Sequence, residues 1–187
     1  MSAENLIVQY EKYCDIMKKV AGAPAVERLS DKIGERLVMA PRGLTVEDGG
    51  TPGALIEFSL AVATTAKALS SHFGDTRSLV KVSLLHELGK LGDLRKGADL
   101  LIPQESDWHR EKLGQMYKYN DACSKMNVAH RTLWMLSHLG FELTREEWMA
   151  INVSQGLHLQ ENQFYATSID GLAAGLLAAR SAVLHGS

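Results

Sequence analysis

The segment SLLHELGKLGD, residues 83–93, places a histidine next to a carboxylate, His86 and Glu87, and a lysine, Lys90, three positions later. Imidazole nitrogens and carboxylate oxygens are ligands of divalent metals, and a lysine ammonium binds phosphate as a point charge. The same residues are also compatible with an ordinary helix end that carries a partly buried histidine. The pattern therefore indicates either a metal site beside a phosphate-binding lysine or a structural helix terminus.

The His86–Glu87 pair lies at the end of a predicted helix, because apolar residues precede it at intervals of three or four. These apolar residues are Leu79, Val82 and Leu85. Asp75 or Thr76 is suited to the N-cap of this helix, and Gly89 is suited to its C-terminus. The pair is therefore expected on the last turn of a core helix.

Helical spacing of apolar residues continues over most of the chain and predicts an all-α fold. Thr51 and Pro52 suit the N-cap and first position of a helix with a buried stripe. Further helices are predicted over residues 3–20, 24–38, 106–117 and 128–140, from Thr144 with Glu147 in a capping box, and from Ser168 or Asp170 to residue 184. Residues 40–53 are predicted to be the longest irregular loop, and 156–168 a short hairpin or an irregular loop.

Composition describes one ordinary globular domain of 187 residues, with 45% hydrophobic and 22% charged residues. A net charge of -2 argues against duplex nucleic acid as the main partner, because duplex binding usually needs a basic face. Cys14 and Cys123 are too few for a disulfide framework. The N-terminal residues do not have the pattern of a secretory leader, and no apolar run approaches the roughly 20 residues that span a bilayer. We therefore expect a cytoplasmic protein that does not insert into membranes.

An apolar helix followed by LLH, an acid, an apolar residue and GK resembles the HD-domain superfamily of metal-dependent phosphohydrolases. The resemblance extends over about residues 52–184, and the segments SDWHREKLG, YKYN, AHRTLWML and LTREEWMAI look similar to small HD proteins encoded by bacteriophages. It implies a single HD-like helical bundle over residues 1–187 with a central cavity. Residues 1–50 would form N-terminal helices and a loop, and 51–187 the HD-like core. In that family, four signature side chains hold a divalent cation that is used in the hydrolytic attack on a phosphate ester.

Three of the four signature positions depart from the family's pattern. His86 matches the second histidine, but Glu87 stands where the family has Asp. In FSLAVA the position of the first histidine is taken by Phe58, and in LLAARSAV the position of the distant Asp is taken by Arg180. Phenylalanine cannot bind a metal, and arginine keeps its proton in proteins. We therefore expect no metal cofactor, and we expect that Arg180 approaches His86 and Glu87 and neutralises Glu87 in place of the cation.

Three functions follow from this pattern, and the departures favour the first. It is a pseudoenzyme that binds a phosphorylated small molecule, most plausibly a nucleotide or nucleotide signal, in the former active-site cavity, because guanidinium and ammonium groups can replace a cation as phosphate ligands. Its candidate ligand-binding residues are Lys90, Trp108, His109, Arg110, Tyr119, Asn120, His130, Arg131 and Arg180.

The second function is an active nucleotide phosphohydrolase with catalytic His86, Glu87 and Lys90, in which Glu57 or Asp170 completes a Mn or Mg site with His86 and Glu87. The third is a helical scaffold that binds another protein. Under each of the three functions, the protein could also form a homo-oligomer. If the protein is viral, the expected compartment is the host cytoplasm.

Each candidate residue also has an ordinary structural interpretation. Trp108 is more often a core or groove-lining residue than a stacking platform, and Lys90 is more often a solvated loop lysine than a phosphate clamp. Arg180 lies among Ala173, Leu177 and Leu184, where an unpaired charge would cost several kcal/mol. It must therefore have an anionic partner or extend to solvent.

Overall fold

The computed structural model describes residues 2–186, and the chain folds as the predicted mostly helical unit. Helix α1 (Ala3–Ala21) and helix α2 (Ala23–Met39) form a hairpin around Gly22, whose φ of 94° favours glycine. Both helices were predicted to within two residues. Their apolar faces pack on each other and on the helices that follow.

Helix α3 (Ala54–Phe73) lies at the centre, against α4 (Thr76–Leu85) and α8 (Gly171–His185). Its predicted start at Thr51 is wrong. The N-cap is Gly53, with φ of 81°, so Thr51 and Pro52 belong to the preceding turn. The positive φ of Gly53 favours glycine, and a Cβ atom here would displace the terminal methyl group of Leu6 on α1.

Helix α4 begins after the predicted N-cap, Asp75, and ends at Leu85, four residues before the predicted terminus. His86 is its C-cap, and a 3₁₀ helix (Leu88–Leu91) follows. The backbone N–H of Gly89 donates to Thr132 Oγ1 at 2.8 Å, and a Cβ atom at Gly89 would collide with the carbonyl oxygen of Val128. Glycine therefore allows close contact with helix α6 (Val128–His138).

A small hairpin interrupts the helices where the sequence predicted only a loop and a longer helix. Strand β1 (Leu101–Pro103) pairs antiparallel with β2 (Tyr117–Tyr119), and α5 (Asp107–Leu113) lies between them. Strands of three residues are too short to show an alternating pattern. The segment 156–168 contains a 3₁₀ helix (Gln160–Tyr165) and turns, not a hairpin.

The remaining caps agree with the predictions. Thr144 and Glu147 form the predicted capping box of α7 (Arg145–Val153), and Asp170 caps α8. Cys14 and Cys123 are buried free thiols. Across residues 2–186, the helices lack the combination of length and apolarity that a bilayer crossing needs.

Candidate functional site

Three helices bring the sequence-predicted positions together. The ring of Phe58 on α3 lies 6.1 Å from the ring of His86 at the end of α4. From α8, the guanidinium of Arg180 donates a hydrogen bond of 3.2 Å from Nη2 to Oε1 of Glu87. His86 and Glu87 are fully buried. The predicted convergence, and the predicted pairing of Arg180 with Glu87, are confirmed.

Glu87 has a second cationic partner, because Nζ of Lys90 lies 3.1 Å from its other carboxylate oxygen. Burial alone would raise the pKa of Glu87, but the attraction of Lys90 and Arg180 holds it below its usual value. The carboxylate is therefore ionised at neutral pH. Lys90 was predicted as a ligand-binding residue, and its role as a partner of Glu87 was not foreseen.

Burial lowers the pKa of His86 from 6.5 to about 4, so the imidazole is neutral at physiological pH. Its Nδ1 lies 2.8 Å from the carbonyl oxygen of Ser83, and only a protonated Nδ1 can donate to that oxygen. The lone pair is therefore on Nε2, which is buried and has no hydrogen-bond partner within residues 2–186. This is the tautomer that a metal-binding histidine needs, but Phe58 and Arg180 are its neighbours here.

Arg42 is a cation of this site that the sequence predictions missed. It lies in the loop 40–53, and its guanidinium carbon is 4.4 Å from the centroid of the Phe58 ring, within the range of a cation–π contact. In the described chain, no carboxylate oxygen lies within 4.0 Å of its guanidinium. The only feature of the sequence that could have indicated Arg42 is its position in the longest irregular loop, which leads into α3.

Lys90 separates two surface grooves. The first has a volume of about 310 Å³ and includes Tyr117 and Arg36, although Arg36 is already bound to Asp99 at 2.6 Å. The second, of about 270 Å³, includes Arg42 and Tyr119. The two grooves share Lys90 and Leu101 in their linings. The linings thus contain Lys90 and Arg42 together with the carboxylates Asp99 and Asp48, whereas His86, Glu87 and Arg180 line neither groove.

The cations outnumber the anion in this cluster. Lys90 and Arg180 contact Glu87, and Arg42 lies over the Phe58 ring close enough to repel Lys90. Repulsion from Arg42 and Arg180 adds to the burial that lowers the pKa of Lys90, against the opposing attraction of Glu87. We call these three cations the cationic cluster. An anion bound at its exposed edge would relieve this repulsion, so the arrangement is suited to binding a phosphate or carboxylate group.

Helix α6 supplies two further predicted residues, and neither lies in the grooves. Arg131 is fully buried, where its guanidinium donates to the carbonyl oxygens of Gly89, at 3.2 Å, and of Ser124, and lies 3.6 Å from a carboxylate oxygen of Asp93. These bonds hold the 3₁₀ helix and the loop before α6. His130 is exposed on the surface. Arg131 therefore stabilises the fold beneath the grooves.

Helix α5 carries Trp108, His109 and Arg110 away from the cationic cluster. Trp108 is exposed, His109 contacts the N-cap Ser106 at 2.8 Å, and Arg110 pairs with Asp107. These three residues line neither groove beside Lys90.

At the end of β2, the predicted residues Tyr119 and Asn120 have different environments. Tyr119 lines the second groove, and its side chain is exposed. The Asn120 side chain donates to the carbonyl oxygen of Asp99 at 2.9 Å and fixes a turn.

The alternative metal residues are not brought together with the His86–Glu87 pair. Glu57 is exposed on α3. Asp170 accepts the 2.8 Å hydrogen bond of the α8 N-cap, ten residues and thus about 15 Å along the helix from Arg180. Over residues 2–186, no cluster of three or more His, Cys, Asp or Glu side chains has the arrangement of a metal site.

Comparison of the chain with family models, with curated proteins and with solved structures found no match.

Proposed function

We propose that this protein binds a phosphorylated small molecule, a nucleotide, at the two grooves beside Lys90. The observation that carries the proposal is that Arg42 and Lys90 line one groove and repel each other. Arg180 and Lys90 already neutralise the Glu87 carboxylate, and Arg42 adds a guanidinium that has no carboxylate partner in residues 2–186. A phosphate group would be the partner of Arg42 and of the exposed side of Lys90.

The shape of the grooves supports a small ligand. Their volumes, about 310 and 270 Å³, are near the lower end of the range of roughly 300–1,000 Å³ typical of small-molecule sites. Tyr119 presents an exposed aromatic ring in the groove that contains Arg42. Aromatic side chains stack on nucleobases with little preference for the base, and this favours a nucleotide over a sugar phosphate.

Absence of catalysis is part of the proposal and rests on the residues at the HD-like positions. A guanidinium, unlike a metal ion, has no vacant position that can accept a lone pair of water, so it cannot generate a metal-bound hydroxide as the nucleophile. In addition, Arg180 donates a hydrogen bond to one oxygen of Glu87, and the Lys90 ammonium lies 3.1 Å from the other as an ion pair. The protein therefore binds its ligand and releases it unchanged, as a carrier or a sequestering protein does.

The proposal is tested by titrating the purified protein, in EDTA, with inorganic phosphate and with nucleoside mono-, di- and triphosphates in a calorimeter. We expect nucleotide dissociation constants in the micromolar range, and weaker binding by Arg42→Gln of about 10-fold or more, since charged hydrogen bonds contribute about 1.5–3 kcal/mol. The matched control is Arg145→Gln, because Arg145 is exposed and pairs only with its neighbour Glu146.

Two results would overturn the proposal. One is failure of every nucleotide to bind below about 1 mM. The other is equal affinity of the wild-type protein and Arg42→Gln for the best nucleotide. Mass spectrometry of small molecules released by heat from the freshly purified protein gives an independent check, because a tight cellular ligand would be carried through purification.

A further inference from the structure

A larger groove is lined by residues different from those beside Lys90. It lies between α1, α3 and α4 and has a volume of about 670 Å³. Five apolar side chains line its floor: Ile16, Val20, Leu60, Ala63 and Val80. The chain thus has an apolar depression that the ligand proposed above does not use.

The rim of this groove is basic. Lys19, Lys67 and Arg77 are exposed there, and no carboxylate oxygen of residues 2–186 lies within 4.0 Å of their charged groups. The acid of this rim, Asp75, is the N-cap of α4 and accepts a hydrogen bond of 2.7 Å from the backbone N–H of Ser78. This carboxylate also attracts Arg77, whose Nε donates to the carbonyl oxygen of Val20 at 3.1 Å. An incoming partner therefore meets Lys19 and Lys67 as the cations of the rim that have no carboxylate partner in residues 2–186, and Arg77 as a partly engaged one.

The residues of α3 that line the groove show how long it is. Leu60, Ala63, Thr64 and Lys67 follow the spacing i, i+3, i+4, i+7, so the groove extends along two turns of this helix, or about 10.5 Å. An amphipathic helix that docks in a groove uses anchors with the same spacing. A partner helix lying along α3 would thus place its apolar anchors over the floor and its flanking side chains at the rim.

We propose that this groove docks an amphipathic helix of another protein, with aliphatic anchors at i, i+4 and i+7 and acidic residues beside them. The apolar floor receives the anchors, and the acids pair with Lys19, Lys67 and Arg77. A second copy of this chain is the poorer occupant, because a two-fold contact would place the same patch on itself and bring like charges together. This inference does not depend on the nucleotide proposal.

The test uses a fluorescein-labelled peptide about four turns long, with leucines at i, i+4 and i+7 and glutamates on both flanks. A second peptide replaces each glutamate by lysine. Anisotropy titrations should show binding of the acidic peptide alone, weakened by added salt. Lys19→Glu and Lys67→Glu should each weaken that binding about 10-fold, whereas Lys18→Glu should leave it unchanged, because Lys18 is exposed on α1 outside the groove.

Three results would overturn the inference. The first is failure of the acidic peptide to bind, and the second is equal binding of the basic peptide. The third is a dimer in sedimentation equilibrium that Lys67→Glu dissociates, which would assign the groove to a second copy of the chain. Circular dichroism of each variant establishes that the charge reversals leave the fold intact.

Discussion

Glu87 illustrates how a buried carboxylate is stabilised by two tethered cations. Arg180 binds one oxygen at 3.2 Å, and Lys90 lies 3.1 Å from the other. Such an arrangement adds little net stability compared with apolar side chains of the same shape, because desolvation of the charges offsets most of the attraction. Removal of one cation lowers the stability of the fold, because the Glu87 carboxylate stays buried with less compensation.

Arg180→Ala should therefore lower the free energy of unfolding by about 2 kcal/mol. Loss of the only partner of a buried charge typically costs about 3–5 kcal/mol, but here Lys90 remains beside Glu87. Urea denaturation measures the difference, with Arg145→Ala as the exposed control. A change no larger than that of the control would show that the pair does not stabilise the fold.

His86 makes stability depend on pH. Its pKa is about 4 in the folded protein and 6.5 in an ordinary environment, so the unfolded chain binds more protons between these values. The stability that His86 contributes is present above pH 6.5 and is lost as pH falls towards 4. Over this window the shift corresponds to about 3 kcal/mol, at 1.36 kcal/mol for each pKa unit.

The measurement compares wild-type protein with His86→Gln by urea denaturation at several values of pH from 7 to 4. The variant should lose less stability on acidification, by about 3 kcal/mol, because glutamine does not titrate in this range. Parallel pH profiles for the two proteins would mean that His86 titrates normally in the folded state. The comparison removes the contribution of other titrating groups, since both proteins contain them.

At the scale of the element, the convergence of α3, α4 and α8 predicts that a metal site can be rebuilt. Phe58→His, Glu87→Asp and Arg180→Asp together supply the ligand set that the HD resemblance implies, and Phe58 already lies 6.1 Å from His86 between ring centroids. The triple variant should bind about one Mn²⁺ per chain, as measured by metal analysis after dialysis. Phe58→His alone should bind none, because Arg180 still opposes a cation. A folded triple variant without metal would show that the three positions are not equivalent to ligand positions.

Helix α7 gives a second prediction at this scale. Glu147 completes the capping box with Thr144 and also binds Lys81 at 2.7 Å, and both charged side chains are buried. Glu147→Ala leaves the Lys81 ammonium without its carboxylate and should cost about 3–5 kcal/mol, against about 1 kcal/mol for the cap in Thr144→Ala. Thermal and urea denaturation of the two variants measure the contrast. Equal losses would show that the cap alone accounts for the role of Glu147.

Periodicity was sufficient to predict the helices other than α5, because each of them buries an apolar stripe that the sequence displays directly, whereas α5 buries no residue and was predicted too long. It failed where tertiary contacts decide the structure. Helix α3 begins only after Gly53, whose positive φ and close approach to Leu6 are tertiary features, and the two short strands pair through positions 14 to 18 residues apart. Arg42 was missed for the same reason, since a loop residue becomes part of the cationic cluster only when the loop folds against α3.

For the whole molecule, the local distribution of charge determines which ligands are attracted more than the net charge does. A net charge of -2 predicts no general attraction for polyanions, yet the grooves beside Lys90 and the apolar groove of α1, α3 and α4 are each locally positive. Small anions and acidic segments are drawn to such local fields, which weaken within about 10 Å at ordinary ionic strength. The two sites would therefore act independently on ligands of different kinds.

The central claim is that tethered cations now hold the phosphate that a metal ion would otherwise bind. Calorimetric titration of the protein with its best nucleotide, first in EDTA and then with excess Mn²⁺ in place of the chelator, tests this claim most directly. Our account predicts binding in EDTA that Mn²⁺ does not strengthen, and no release of inorganic phosphate over hours. Binding that requires Mn²⁺, or turnover that appears with it, would contradict the account.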